Sequence, residues 1–143
     1  MDPQNSQLTV AGYFKNLTEV SQFIDQAAAR AGLDERATYA VRMAVDEACT
    51  NIIQHAYGGE GRGQIRLLCE TQAEGLQVTI FDQGTPFEPM HVPELDPQAP
   101  LQERQPGGMG VFFIRNLMDT VEFKFGTPQG NRLILFKRRE STS

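Results

Sequence analysis

Three short segments of the chain carry side chains whose types and spacing could do chemistry. In LQVTIFDQG, Leu76, Val78 and Ile80 share one face of an alternating strand, and the same period of two puts Asp82 on that face at the strand's end. A carboxylate aimed at an apolar side needs donors, and an exocyclic amine on a bound ligand is one candidate. Gly84, without a Cβ, would let a flat ring approach the backbone. An aspartate before Gln83-Gly84 is equally suited to capping a turn. In PGGMG, Gly107, Gly108 and Gly110 open a helix, where unpaired N–H groups and the positive end of the helix dipole make an anion site. A loop end capped by glycines is the plainer alternative. No Gly-Lys-Ser/Thr follows, and no G-x-G-x-x-G succeeds a strand, so the Walker A and Rossmann readings both fail.

The third segment is DEACTNIIQHAYGG, with Glu47, Asn51 and His55 at steps of four. Each such step on a helix advances about 40° around the axis, so the three form one slanting polar stripe. It borders the apolar stripe of Val41, Ala44, Val45, Ala48 and Ile52. Glu47 and Asn51 then sit at the edge of the core, where an unpaired polar group is costly. A solvated helix face is the bland alternative for any single E-x-x-x-N.

The elements that must position these groups follow from periodicity. Leu8 to Phe14 has β-branched and aromatic residues and predicts a first strand. Val20, Phe23, Ile24, Ala27 and Ala31 predict a helix, with Asn16 and Glu19 as a capping box and Gly32 as its stop. Asp34 is the expected N-cap of a second, longer helix that carries Glu47 and Asn51 and runs to Gly58 and Gly59. Alternation over 65–70 and 76–80 predicts an antiparallel hairpin turning near Glu74 and Gly75. Gln83 to Pro106 then holds six of the eight prolines without periodicity, which marks a binding loop, a lid or a disordered insert. A short helix follows, in which Phe112, Phe113, Ile114 and Leu117 read as core, and strands are expected around Val121–Phe125 and Arg132–Lys137. This order predicts an α+β fold: a two-layer sandwich with three helices over one face of a mixed, mostly antiparallel sheet.

The 143 residues suit one domain over 1–143, with the lid at 83–107. Apolar residues make up 40% and charged ones 22%, which excludes wholesale disorder and fibrous architecture. A net charge of -5 without a basic stripe gives no support to a nucleic-acid surface. No run approaches the roughly 18 apolar residues of a membrane span, and the N-terminus has no signal-like pattern. A cytoplasmic location is expected, with Cys49 and Cys69 reduced and half-buried.

Taken together, the helix with Glu47 and Asn51, the strand-end Asp82-x-Gly84, the lid and the glycine-opened helix resemble the N, G1 and G2 boxes of an ATP-binding superfamily. Its members include DNA gyrase, the MutL repair proteins and the histidine kinases, and the fold is of the Bergerat type. More narrowly, AVDEACTNIIQHAYGG, DQGTPF and GGMGVFFIRNLMD are similar to the anti-sigma factor serine/threonine kinases of bacteria, over roughly Leu8 to Lys137. The resemblance implies ATP and Mg²⁺ as cofactors. By it, Asp82 accepts from the adenine amine beside Gly84, Asn51 ligates Mg²⁺, Gly107, Gly108 and Gly110 bind phosphates, and Glu47 is the general base. His55 is expected to make a structural hydrogen bond. Asn131 stands where the family often has threonine, at a secondary contact in the adenine pocket, and Arg104 matches a basic residue that reaches phosphates or partner in some relatives. The implied partners are a sigma factor and a small anti-sigma antagonist that is phosphorylated, with a homodimer plausible. An ATP-gated binding module without phosphoryl transfer is the alternative; a detached histidine-kinase domain has no room for a dimerisation helix pair.

Overall fold

A computed structural model of the chain describes residues 5–86, 114–128 and 130–139. The lid and the glycine-rich segment, with Arg104, Gly107, Gly108 and Gly110, lie outside the described residues.

The chain enters as β1 (Asn5–Ala11), passes through α1 (Leu17–Arg30) and α2 (Glu35–Asn51), and forms the hairpin β2 (Gln64–Thr71) and β3 (Gly75–Asp82). It ends in a second hairpin, β4 (Thr120–Thr127) and β5 (Gly130–Arg138). The five strands lie in the order β1-β2-β3-β5-β4. Every neighbouring pair is antiparallel. The sheet is thus antiparallel throughout the described strands, within the two-layer α+β fold with a mixed, mostly antiparallel sheet that the sequence predicts. The two helices joining β1 to β2 bring the chain back in the opposite sense, so no parallel pair arises. Residues 114–117 supply the described part of a third helical segment.

Local chemistry explains the helix ends. The Asp34 side chain accepts from the Ala37 N–H at 2.8 Å, the expected N-cap. Gly32, at φ 77°, ends α1 in the left-handed conformation that costs glycine nothing. The expected capping box at α1 does not form. A 3₁₀ turn over Phe14–Asn16 already holds Asn16 in helical dihedrals, and its amide turns back to donate to Ala11 O at 2.9 Å. The first strand also stops three residues sooner than predicted. Gly12 leaves it to donate to Gly63 O at 2.8 Å, and the Phe14 N–H is taken by Glu60 Oε1 at 2.8 Å.

The helices cover one face of the sheet. Ile24, Val41, Val45 and Ile53 pack with Ile65, Leu67, Val78, Ile80 and Leu135 in one core, each side chain almost wholly enclosed. Burying each such side chain stabilises by roughly 1.5–3 kcal/mol. Cys49 and Cys69 belong to the same core, more deeply than expected, and burial pushes both thiols up to about 12. Among the described residues no helix is long and apolar enough to cross a membrane.

Candidate functional site

The α-helical ladder of α2 ends at Asn51, and one π turn follows over Ile52–Ala56. Its signature is the Tyr57 N–H donating five residues back, to Ile52 O at 2.9 Å. Such single-turn π insertions recur at functional sites because they re-aim the side chains on either side. Here the insertion breaks the step-of-four stripe after Asn51. Asn51 points inward and is 4% exposed, whereas His55 is exposed and lies outside the cleft described next.

That cleft opens where the C-terminal part of α2 meets the ends of β3 and β5. It encloses about 380 Å³ of atom-free space, partly open to solvent, and Ala48, Asn51 and Ile52 form its helix wall. Asp82 and Asn131 supply polar groups from paired strand positions. Phe123 and Phe125 supply an apolar wall, their rings stacked at 5.7 Å between centroids. Its mostly apolar lining with a few polar groups is the kind that fixes the orientation of a small molecule.

Asp82, 6% exposed, is held from two sides. Its Oδ1 accepts from the Gly84 N–H at 2.9 Å and from Asn131 Nδ2 at 2.9 Å. Among the described residues no donor reaches Oδ2. The turn-capping and ligand-facing roles open to Asp82 in the sequence are therefore compatible: one oxygen caps the turn and the other is left over. Asn131 also donates to Gly84 O at 3.0 Å and accepts from the Gly126 N–H at 3.0 Å. Both of its amide hydrogens go to protein acceptors, and its oxygen clamps the bulge in β4, where the register shifts between Lys124 and Thr127. Gly84 packs on the helix: a Cβ there would lie 2.6 Å from the carbonyl of Ala56, and the next N–H, of Thr85, donates to Ala56 O at 2.8 Å.

Asn51 differs. Although almost completely enclosed, its amide has no hydrogen-bond partner among the described residues, and it lines the cleft. Buried amides are rarely left so. Glu47 sits one turn earlier, half-buried and outside the cleft lining. Its burial, reinforced by the neighbouring Asp46 carboxylate, holds its carboxyl above the ordinary range.

The structure therefore brings Asn51, Asp82 and Asn131 to one cleft, with Gly84 bonded to two of them, whereas Glu47, one turn back along α2, is not part of its lining. Three residues that shape the site or its surroundings escaped the sequence reading. Phe123 and Phe125 are two apart in VEFKF, a spacing that puts both on one face of a strand. Tyr57, inside the quoted His-Ala-Tyr, donates its hydroxyl to Gln64 O and accepts from the Gln83 N–H at 2.9 Å, pinning the end of α2 to both hairpin strands beside Asp82.

A two-layer α+β domain with a carboxylate and an unpartnered amide facing one cleft has the build of a small-molecule-binding domain. The chain belongs to the histidine kinase-like ATPase domain family, whose model matches residues 13–137. It is 32% identical over 126 residues to the serine-protein kinase RsbW of Halalkalibacterium halodurans, covering 85% of this chain and 76% of that protein. To RsbW of Bacillus velezensis it is 34% identical over 86 residues, which is 57% of this chain and 54% of the relative. Among solved structures, the RsbU and RsbW domains of a Mycobacterium tuberculosis protein superpose with a TM-score of 0.63 at 16% identity. That match covers 96% of this chain but 34% of the other, and it supports the fold alone.

Proposed function

We propose that this domain is a Mg-ATP-dependent protein serine/threonine kinase that restrains a sigma factor and phosphorylates a small anti-sigma antagonist. The observation that carries the reading is the convergence of Asn51 and Asp82, 31 positions apart in the chain, on one cleft beside an apolar wall. Membership of an ATPase family and similarity to serine-protein kinases make the nucleotide ATP.

In this reading Asp82 Oδ2 accepts the exocyclic amine of adenine, which selects against a base that presents a carbonyl oxygen at that point. Oδ1 is unavailable, and that restricts the carboxylate to one orientation. Phe123 and Phe125 exclude water from beside the base. Asn51 fits Mg²⁺ by donor chemistry, because a hard cation takes oxygen ligands and keeps several waters when few come from protein. When bound, the ion neutralises charge on the transferring phosphate. Glu47 takes the proton of the acceptor hydroxyl, and its raised pKa brings a carboxylate closer to the strength a base needs near neutrality. Gly107, Gly108, Gly110 and Arg104 are assigned to the phosphates on sequence grounds.

The test is transfer of labelled phosphate from Mg-ATP to a small antagonist protein, run beside ATP-binding measurements. The wild-type chain should bind ATP and label the acceptor on serine or threonine. Binding without any transfer would replace the kinase by an ATP-gated binding module.

A further inference from the structure

Tyr57 follows the π turn at the end of α2, and its hydroxyl reaches a place in the sheet that the strand register singles out. The ladder of β2 and β3 runs to Ile65 opposite Asp82, and one further step would set Gln64 opposite Gln83. That step is not taken. The Tyr57 hydroxyl stands between the two residues, donating to Gln64 O and accepting from the Gln83 N–H at 2.9 Å, in place of the bond they would make with each other. A hydroxyl suits the position because it is donor and acceptor at once. Burial pushes the phenol pKa up, and the nearby Asp82 carboxylate acts the same way, so the group keeps the proton that it donates. The ring fits only because residue 63 is glycine: a Cβ there would lie 2.3 Å from Tyr57 Cε1.

The consequence falls on the three residues after the strand. Their N–H groups are each committed, Gln83 to the Tyr57 hydroxyl, Gly84 to Asp82 Oδ1 and Thr85 to Ala56 O. Two of those anchors come from adjacent residues at the helix end. The chain is thereby held off β2 and turned toward α2, with Gly84 against the Ala56 carbonyl and Asp82 at the exit of the strand. Without the hydroxyl, the Gln83 N–H and Gln64 O would be left to pair with each other, since backbone polar groups in a fold do not stay unpaired. The ladder would grow by one rung. Gly84 would then be drawn from the helix, taking with it the Asp82 Oδ1 that its N–H holds.

We infer that Tyr57 is a positioning residue for the bound base: its hydroxyl stops the ladder of β2 and β3 at Asp82, and so sets the direction in which Asp82 Oδ2 meets the ligand. The inference rests on the ATP reading, in which Oδ2 accepts the exocyclic amine of adenine. Tyr57 is not part of the cleft lining, so its effect passes through Gln83, Gly84 and Asp82. Hydrogen bonds weaken steeply off line. A turned carboxylate is therefore felt at the one bond that distinguishes adenine and not at the rest of the nucleotide.

Calorimetric titration of the full chain with ATP and, separately, with inosine triphosphate tests this, because inosine carries a carbonyl oxygen where adenine carries its amine. The wild type should prefer ATP. Tyr57→Phe keeps the ring over Gly63 and removes only the hydroxyl; it should weaken ATP by about tenfold, as one misdirected hydrogen bond to a charged group would, and inosine triphosphate by less than about twofold. Gly63→Ala retains the hydroxyl but displaces the ring, should act in the same direction, and decides the matter where Tyr57→Phe does not fold. In phosphate transfer the loss should appear in KM far more than in kcat. Equal losses for the two nucleotides, or a preference for ATP unchanged in the folded variants, overturn the role of Tyr57 and leave the adenine assignment standing. A wild type that does not distinguish the two nucleotides overturns that assignment, and this inference with it.

Discussion

The two carboxylates of the site, Asp82 on the sheet and Glu47 on the helix, are held in opposite ways. Asp82 is fixed by Gly84 and Asn131 through one oxygen, and Asn131 is itself clamped by Gly126, so the strand end of the cleft is held in place by its own hydrogen bonds. Glu47 and Asn51 make no side-chain hydrogen bond among the described residues, and burial raises the Glu47 pKa instead of a donor lowering it. Recognition groups profit from being preorganised. A proton acceptor profits from the reverse, since every hydrogen bond to its charged form would weaken it as a base.

The largest expected effect breaks the helix side of this contrast. Glu47→Gln should leave ATP binding intact and slow phosphate transfer by about 10²- to 10⁴-fold, measured in single-turnover assays. In the wild type, transfer should fall with acidification at a pH above the ordinary carboxylate range, and a rate flat through that window would remove Glu47 from the base role. On the sheet side, Asp82→Asn preserves shape but offers a donor to the adenine amine. It should cost about 1.5–3 kcal/mol of ATP binding by calorimetry, or roughly ten- to 150-fold in affinity. Asn131→Ala should cost about 1–3 kcal/mol of stability by stranding Gly84 O and the Gly126 N–H, and should speed hydrogen exchange at Gly126. The smallest effect sharpens the contrast. A carboxyl whose folded pKa is raised adds stability below its unfolded pKa and loses it as pH rises through the folded value. Ionised Glu47 is thus a liability at neutral pH, so Glu47→Gln should raise the melting midpoint slightly there and not in acid.

Period and cap chemistry made most of the fold legible. The apolar stripes gave both long helices, alternation gave the hairpin of β2 and β3 and put Asp82 on the helix face, and Asp34 marked a true N-cap. What the sequence concealed depends on competition between remote groups. Asn16 looks like a cap by local spacing, yet Ala11 O claims its amide. Phe14 looks like strand, yet Glu60, 46 residues away, takes its N–H. The π turn leaves no periodic trace because it inserts one residue into an apolar run that reads as continuous helix. In the site, Asn51 and Asp82 could be picked out because each is a polar side chain on an apolar face. Asn131 resembled a ligand contact, and only the structure reveals that both of its donors are committed to protein.

Cys49 on α2 and Cys69 in the middle of the sheet are sealed in the core, their thiols too weakly acidic to react while folded. The native chain thereby carries two internal clocks. Alkylation of Cys49 times the lifting of the helix that bears Asn51, alkylation of Cys69 times the opening of the sheet, and a nucleotide gripped by both layers should slow the two in step.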